Sequence, residues 1–263
     1  MNKYMVENKM KRWQKSYSPA VSLISVAVLL LIWEGICRAG VVSSLFLPPT
    51  LIISALIDMI QDGEIGVSLA ASLYRILLGF FLGSAFGLLV GLVTGTSALA
   101  DRMANPIVNA LYPIPKIALL PLFILWLGIG EVSKVTIIAL GVFFPVAMNT
   151  YSGVKNVDTL LIKVAVSFHA GWGYTMRNVV LPYALPMIFA GLRIAAGTAL
   201  LLLVAAEMIA AEQGIGALIL HYGDLMITER LMAGVIVLSV LGLIFNLFLQ
   251  FLERKLVPWN HKE

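Results

Sequence analysis

Residues 73–95 read LYRILLGFFLGSAFGLLVGLVTG, an apolar run with a single charge, Arg75, near its start. A helix needs about 20 mostly apolar residues to cross roughly 30 Å of hydrocarbon, and this run supplies them. Within it Gly79, Gly83, Gly87, Gly91 and Gly95 recur every four residues. Residues i and i+4 share one helix face, so the five glycines form a smooth stripe. In lipid, helices associate through close backbone approach, which small residues permit. The stripe therefore reads as a surface for tight packing against a neighbouring helix, or for sliding along it.

The composition of the whole chain agrees with this run. Of 263 residues, 60% are hydrophobic and only 12% charged, with a mean hydropathy of +0.96. A soluble domain holds roughly 45–50% apolar and about 25% charged residues. The excess excludes a soluble enzyme, a disordered regulator and a nucleic-acid-binding domain, and implies an all-α protein of the bilayer. The lone Cys37 excludes a disulfide within the chain.

Six spans are predicted: Ala20 to Ile36, Leu73 to Gly95, Pro106 to Trp126, Val135 to Met148, Leu185 to Ala206 and Leu231 to Leu252. The third is interrupted by Pro113, Pro115 and Pro121. The first follows a basic stretch (Lys3, Lys9, Lys11, Arg12, Lys15) with no clean cleavage site, so it is read as a retained span. Cytoplasmic loops collect Lys and Arg. With both termini inside, the cytoplasmic side would hold those five plus Arg102, Lys155, Lys163, Arg177, Arg254, Lys255 and Lys262, twelve of the 18 basic residues. The outer side would hold Arg38, Lys134 and Arg230, together with Asp58, Asp62, Glu64, Glu131, Glu212, Asp224 and Glu229. The expected organisation is a cytoplasmic tail over 1–19, a transmembrane domain over 20–252 and a cytoplasmic tail over 253–263. This bias explains the pI of 9.2 as an orientation signal, with no nucleic-acid partner.

Two outer connections carry helical patterns. Thr50 to Ile60 reads as an amphipathic helix on the interface, and residues 207–230 contain a short helix dipping back toward the membrane. No catalytic constellation is visible: His169, His221 and His261 lack metal spacing, no G-x-x-x-x-G-K-[ST] phosphate loop exists, and no span carries paired carboxylates. Glu34, Arg75, Lys116, Arg193 and Glu207 are charges in or near the membrane. Each must sit at an interface, be paired or face water.

The segment 151–181 is the longest connection on the cytoplasmic side. It carries Val164, Ala165, Val166, Phe168, Trp172 and Tyr174, a large apolar surface for a solvated loop. Asp158 is placed to cap a short helix over 159–168, and Gly171 and Gly173 permit a turn after it. A short helix offering Phe168 and Trp172 to the cytoplasm is a docking knob; the alternative is a helix lying on the inner leaflet.

At this segment the sequence resembles the permease subunit of an ABC importer, whose cytoplasmic signature runs Glu-Ala-Ala, three residues, Gly, then Leu-Pro thirteen positions on. The closing half is present as Leu181-Pro182 followed by Ala190-Gly191-Leu192-Arg193. The opening half departs, with Lys163 at the Glu position, Val164 and Ala165 at the two Ala positions and His169 at the Gly position. Tyr112-Pro113-Ile114-Pro115-Lys116, Trp126-Leu127-Gly128-Ile129-Gly130-Glu131 and Glu207-Met208 resemble the nitrate/sulfonate/taurine-type branch.

The resemblance implies a non-enzymatic membrane subunit with coupling segment 151–181 between spans four and five, in the cytoplasmic membrane of a prokaryote. It implies a second permease copy as a homodimer, cytoplasmic ABC ATPase subunits that bind the ATP and Mg, and an extracytoplasmic solute-binding protein, with no cofactor in this chain. Asp158, Lys163, Ala165, Ser167, Phe168, His169, Gly171, Trp172 and Arg177 are the implied coupling residues. Tyr112, Phe143, Phe144, Met148, Asn149 and Glu207 are pathway candidates, of which Phe143, Phe144 and Met148 suit core packing equally. The solute implied is a small anion such as a sulfonate or nitrate, or a vitamin-precursor-like metabolite. The competing reading is a stand-alone secondary carrier, favoured only by the prolines of the third span.

Overall fold

The computed structural model of the chain describes residues 19–40 and 46–261; the basic amino-terminal stretch Lys3 to Lys15 and Lys262 lie outside them. Among the described residues every regular element is helical. Helix α1 spans Pro19–Arg38, α2 Pro49–Gln61, α3 Glu64–Thr96, α4 Ala98–Leu111, α5 Leu120–Leu127, α6 Glu131–Lys155 and α7 Thr159–Ser167. Helix α8 runs unbroken over Trp172–Ala210, followed by α9 (Ile215–Asp224) and α10 (Thr228–Leu256). Helices α3, α6, α8 and α10 are long and apolar enough to cross a membrane, and a bent pair, Ala98–Leu111 with Lys116–Leu127, makes a fifth crossing if counted as one.

The helices outrun the apolar stretches that the sequence marks. The second predicted span starts at Leu73, but α3 starts at Glu64, because Ser68, Ser72 and Arg75 are buried against protein and need no lipid. The fourth lengthens likewise to Glu131–Lys155. The third span, predicted as one interrupted crossing, bends by 88°. Pro113 and Pro115 account for the bend, since each lacks a backbone donor and disfavours helix at the residue before it. Pro121 sits harmlessly in the first turn of α5, where an N–H has no partner to lose.

The glycine stripe of α3 lies against α6. The Cβ position of Gly79 falls on Ile138, and the other four glycines meet α6 in the same way: Gly83 with Val142, Gly87 with Val146, Gly91 with Thr150 and Gly95 with Val154. Both sequences step by four in the same direction, so α3 and α6 run parallel in a fixed register. An added methyl at Gly87 would lie 2.8 Å from the Phe143 carbonyl oxygen, and at Gly91 2.6 Å from that of Ala147. The buried core continues from this seam, through Ile137, Ile138, Val142 and Val146 of α6, to Ala195, Ala199 and Leu203 of α8 and Phe245 of α10.

This packing sets one expectation. Gly87→Ala will destabilise the chain by about 1–3 kcal/mol, the usual cost of overpacking a filled interface, and Gly87→Leu by more. Gly197→Ala, where a methyl meets nothing within 4 Å, will be neutral or slightly stabilising. Unfolding midpoints in detergent check the pair.

Candidate functional site

The functional candidates fall at the two ends of the bundle and at its middle. At one end the chain leaves α6, turns through Asn156 and Val157, and forms α7. The Asp158 side chain accepts a hydrogen bond from the Leu160 N–H at 2.8 Å, capping α7 as its position suggests. The other end of α7 closes with two crossed bonds, His169 N–H to Val166 C=O at 2.8 Å and Ala170 N–H to Ala165 C=O at 3.0 Å. That is a Schellman closure, whose C′ residue must be left-handed. Here it is His169, at φ 56.

The turn therefore sits at His169 and Ala170. Gly171 has an ordinary φ of −66, and Gly173 is helical. The position that the resemblance assigns to glycine thus has a positive φ here, and histidine adopts it, being one of the few side chains enriched there.

Beyond the turn, α8 begins at Trp172. The fifth span is predicted from Leu185, but the helix already runs through the Leu181-Pro182 junction, by widening to a π-turn over Met176–Val180. Pro182 supplies no N–H and crowds the carbonyl four residues back, and a π-turn absorbs both effects.

Phe168 is 82% exposed, Tyr174 64%, Val166 63% and Trp172 61%. Lys163, Ser167, Gly171 and Arg177 are exposed with them, whereas Ala165 is buried. Beneath this surface Val157 and Val180 pack with Val154, Ala184 and Ile188, joined by Ile162 and Met176. The exposed apolar knob is thereby fixed to α6 and α8 together.

At the opposite end lies a buried polar node that the sequence does not assemble. Arg75 of α3 donates from Nη1 to Glu207 of α8 at 2.7 Å, and from Nε and Nη2 to Glu131 of α6 at 2.7 and 2.8 Å. Lys134 bridges to Glu131 at 2.8 Å and donates to the Ala210 carbonyl. Glu207 is fully buried and also accepts from the Ser72 hydroxyl and the Gly216 N–H. Gly214, at φ 136, holds the chain against the Glu207 carboxylate, where any side chain would collide.

Glu207, grouped in the sequence with pathway candidates, is here a structural anchor whose oxygens are all engaged. The signal available for it is Arg75 itself, a buried charge that must find partners; Glu131 and Lys134 read only as charges of the outer side, with nothing in the sequence to join them to it. A second cluster at this end joins Tyr222, Glu64 and Arg230, with the Tyr222 hydroxyl donating to Glu64 at 2.6 Å. Burial and the neighbouring Glu64 carboxylate push the Tyr222 phenol above its ordinary range.

Mid-bundle, Tyr112 and Phe144 stand 6.2 Å apart, and Phe143 meets Phe144 edge-on at 5.0 Å. The Lys116 ammonium lies over the Tyr112 and Phe144 rings. Phe144 is buried, Tyr112 is exposed, and Phe143, Met148 and Asn149 are half-buried. Pro145 is buried in an unbroken helix, and its carbonyl accepts from the Asn149 amide at 2.8 Å. Among the described residues no group of three His, Cys, Asp or Glu stands together.

Two outcomes test this geometry. Glu207→Ala will cost about 3–5 kcal/mol, the penalty for stranding one partner of a buried ion pair, with Glu207→Gln intermediate; detergent unfolding curves measure both. Replacing His169 with Gly removes a left-handed backbone cost of about 1–2 kcal/mol. Amide exchange at 168–170 will then slow, and it will quicken in His169→Val.

A family model described as "Binding-protein-dependent transport system inner membrane component" matches residues 83–258. Among curated relatives, a putative aliphatic sulfonates transport permease protein of Bacillus subtilis (strain 168) is 39% identical over 252 residues, 95% of this chain and 91% of the relative. The taurine transport system permease protein of Escherichia coli (strain K12) is 37% identical over 95% of this chain and 93% of its own. A nitrate import permease protein of Synechocystis sp. is 32% identical over 94% and 93%. An inward-facing structure of a methionine ABC transporter shares the fold at 22% identity, with a TM-score of 0.57 over 72% of this chain and 95% of that one.

Proposed function

The chain belongs to the family of binding-protein-dependent transport system inner membrane components, and on that premise we propose that it is the permease subunit of an ATP-driven importer for a small oxyanion, most closely an organosulfonate. Six spans would cross the membrane with both termini in the cytoplasm, α1 being the first and the bent pair the third. Charge asymmetry supports the orientation. The knob end carries Arg102, Lys155, Lys163, Arg177, Arg254 and Lys255, with Asp101 and Asp158, whereas the opposite end carries Arg38, Lys134 and Arg230 among the acids Asp62, Glu64, Glu131, Glu212, Asp224 and Glu229.

The observation that carries the proposal is the knob: exposed Phe168 and Trp172 on a capped helix locked to two long helices. Apolar residues presented in this way are hot-spot chemistry for a partner groove. A cytoplasmic ABC ATPase would receive the knob, and closure of its ATP-bound form would push α7. Because α7 is clamped through Val157, Ile162 and Val180, the push would be transmitted to α6 and α8 and not absorbed in the loop. A second copy would complete the route between two permeases, and an extracytoplasmic binding protein would deliver the solute to the acidic end. The anion preference rests on relatives named for aliphatic sulfonates, taurine and nitrate.

Phe168→Asp or Trp172→Asp will abolish solute-stimulated ATP hydrolysis by the complex reconstituted in liposomes, while the chain still inserts. Stimulation that survives both substitutions rules the docking role out.

A further inference from the structure

Away from the exposed Arg177, Arg254 and Lys255 near the helix ends, the cations of the long helices are paired. Arg75, Lys134, Lys155, Arg193 and Arg230 each lie against a carboxylate. Lys116 differs. Among the described residues no carboxylate reaches it; its ammonium donates to the Tyr112 carbonyl and rests 4.9 Å from the Tyr112 ring centroid and 4.6 Å from that of Phe144. An ammonium has three donors, so two are unspent. Phe144 is the fourteenth of the 25 residues of α6, which puts Lys116 about halfway along the crossing.

Lys116 also ends a line. Asp101, Asn105, Asn109, Tyr112 and Lys116 follow at steps of four, four, three and four, which keeps the first four on one face of α4 and its last turn. The Asn105 amide donates to Asp101, and the Asn109 amide to Asn105. On the opposite face Leu99, Met103, Ile107 and Leu111 are all exposed. Hydrocarbon suits the second line and not the first, because polar groups and a charge without partners are costly there. The polar line must face water or protein. Asp101, its one acid, is neutralised by Lys155 at 2.8 Å, leaving amide, phenol and ammonium groups.

We infer that this line is the inner half of the solute route and that Lys116 holds the travelling anion at mid-depth, through charge-assisted hydrogen bonds to a sulfonate or nitrate oxygen. The inference rests on the reading of the chain as an anion permease. Tyr112 and Phe144 hold the ammonium in place from two sides, so the charge stays in the route and cannot snorkel away.

The test uses the complete complex in liposomes, with ATP inside and labelled ethanesulfonate or nitrate delivered by the binding protein. In a Cys37→Ser background, Lys116→Cys and Lys116→Gln will each lower uptake about tenfold or more, the loss that follows removal of one charge-assisted bond. Treating the Lys116→Cys complex with aminoethyl methanethiosulfonate restores an ammonium and will recover at least half of the uptake; the neutral methyl reagent will not. Because rescue is read on one preparation, a folding defect cannot imitate it. The arm that responds, ethanesulfonate or nitrate, identifies the class of anion held. Uptake unchanged in Lys116→Gln, a thiol that no water-borne reagent reaches, or equal recovery with the neutral reagent overturns the role of Lys116 alone. Absence of ATP-driven uptake of both anions by the unsubstituted complex overturns the anion-permease reading itself.

Discussion

The bundle depends on backbone contact between α3 and α6. Five glycines spaced by four let the two helices approach until a Cβ on one would collide with carbonyl oxygens and β-carbons of the other. Because the contact keeps one register from Gly79–Ile138 to Gly95–Val154, the helices are parallel. Parallel helices cannot be joined by a short turn, so the chain between them must return across the bundle. Residues 98–127 make that return, and their 88° bend is a consequence of doing so with two prolines in the middle. Placing a polar line on a crossing segment thus follows from the glycine seam: the seam fixes two helices firmly, and the segment that joins them is left to cross elsewhere.

Helix α8 links the two ends. Its 39 residues span roughly 58 Å at 1.5 Å each. At the knob end it is clamped to α7 and α6 by Val180, Ala184 and Ile188. Near its other end Glu207 is tied through Arg75 to α3 and α6. Trp172 and the polar node therefore lie on one continuous helix, which includes Pro186. The π-turn over Met176–Val180 preserves this continuity, since it lets Pro182 lie within a helix that would otherwise break there.

Local features of the sequence translated directly into structure, and distant ones did not. The glycine period, the Asp158 cap and the amphipathic stretch of α2 depend on residues within a turn or two of one another, and each is visible in the chain alone. The polar node joins residues 132 and 56 positions apart, Arg75 with Glu207 and with Glu131, and no periodicity encodes such a pairing. Helix ends were underestimated for a related reason: hydropathy reports contact with lipid, whereas Ser68, Ser72 and Lys134 are helical because they are buried in protein. His169 shows the reverse case. As a letter it departs from the family's glycine, yet its backbone takes the left-handed conformation that favours glycine.

The paired and unpaired cations divide the molecule by mechanical role. Arg75 and Lys134, buried, and Arg193, exposed but paired with the buried Glu253, link helices that pack through the core, and a paired buried charge holds such elements in one arrangement because separating it is costly. The bent segment is held differently. Helix α4 buries no residue, and between Ala98 and Leu127 only Leu120 is buried. Few buried contacts leave a segment with a low cost of displacement. Lys116 sits on this segment. The proposed role of Lys116 needs no standing carboxylate partner to compete with the ligand, and its segment meets the core mainly through Leu120, with Leu119, Phe123 and Ile124 packed against it. In the permease proposed above, this lightly anchored crossing would be where the solute contact changes hands, while α3, α6 and α8 keep their register.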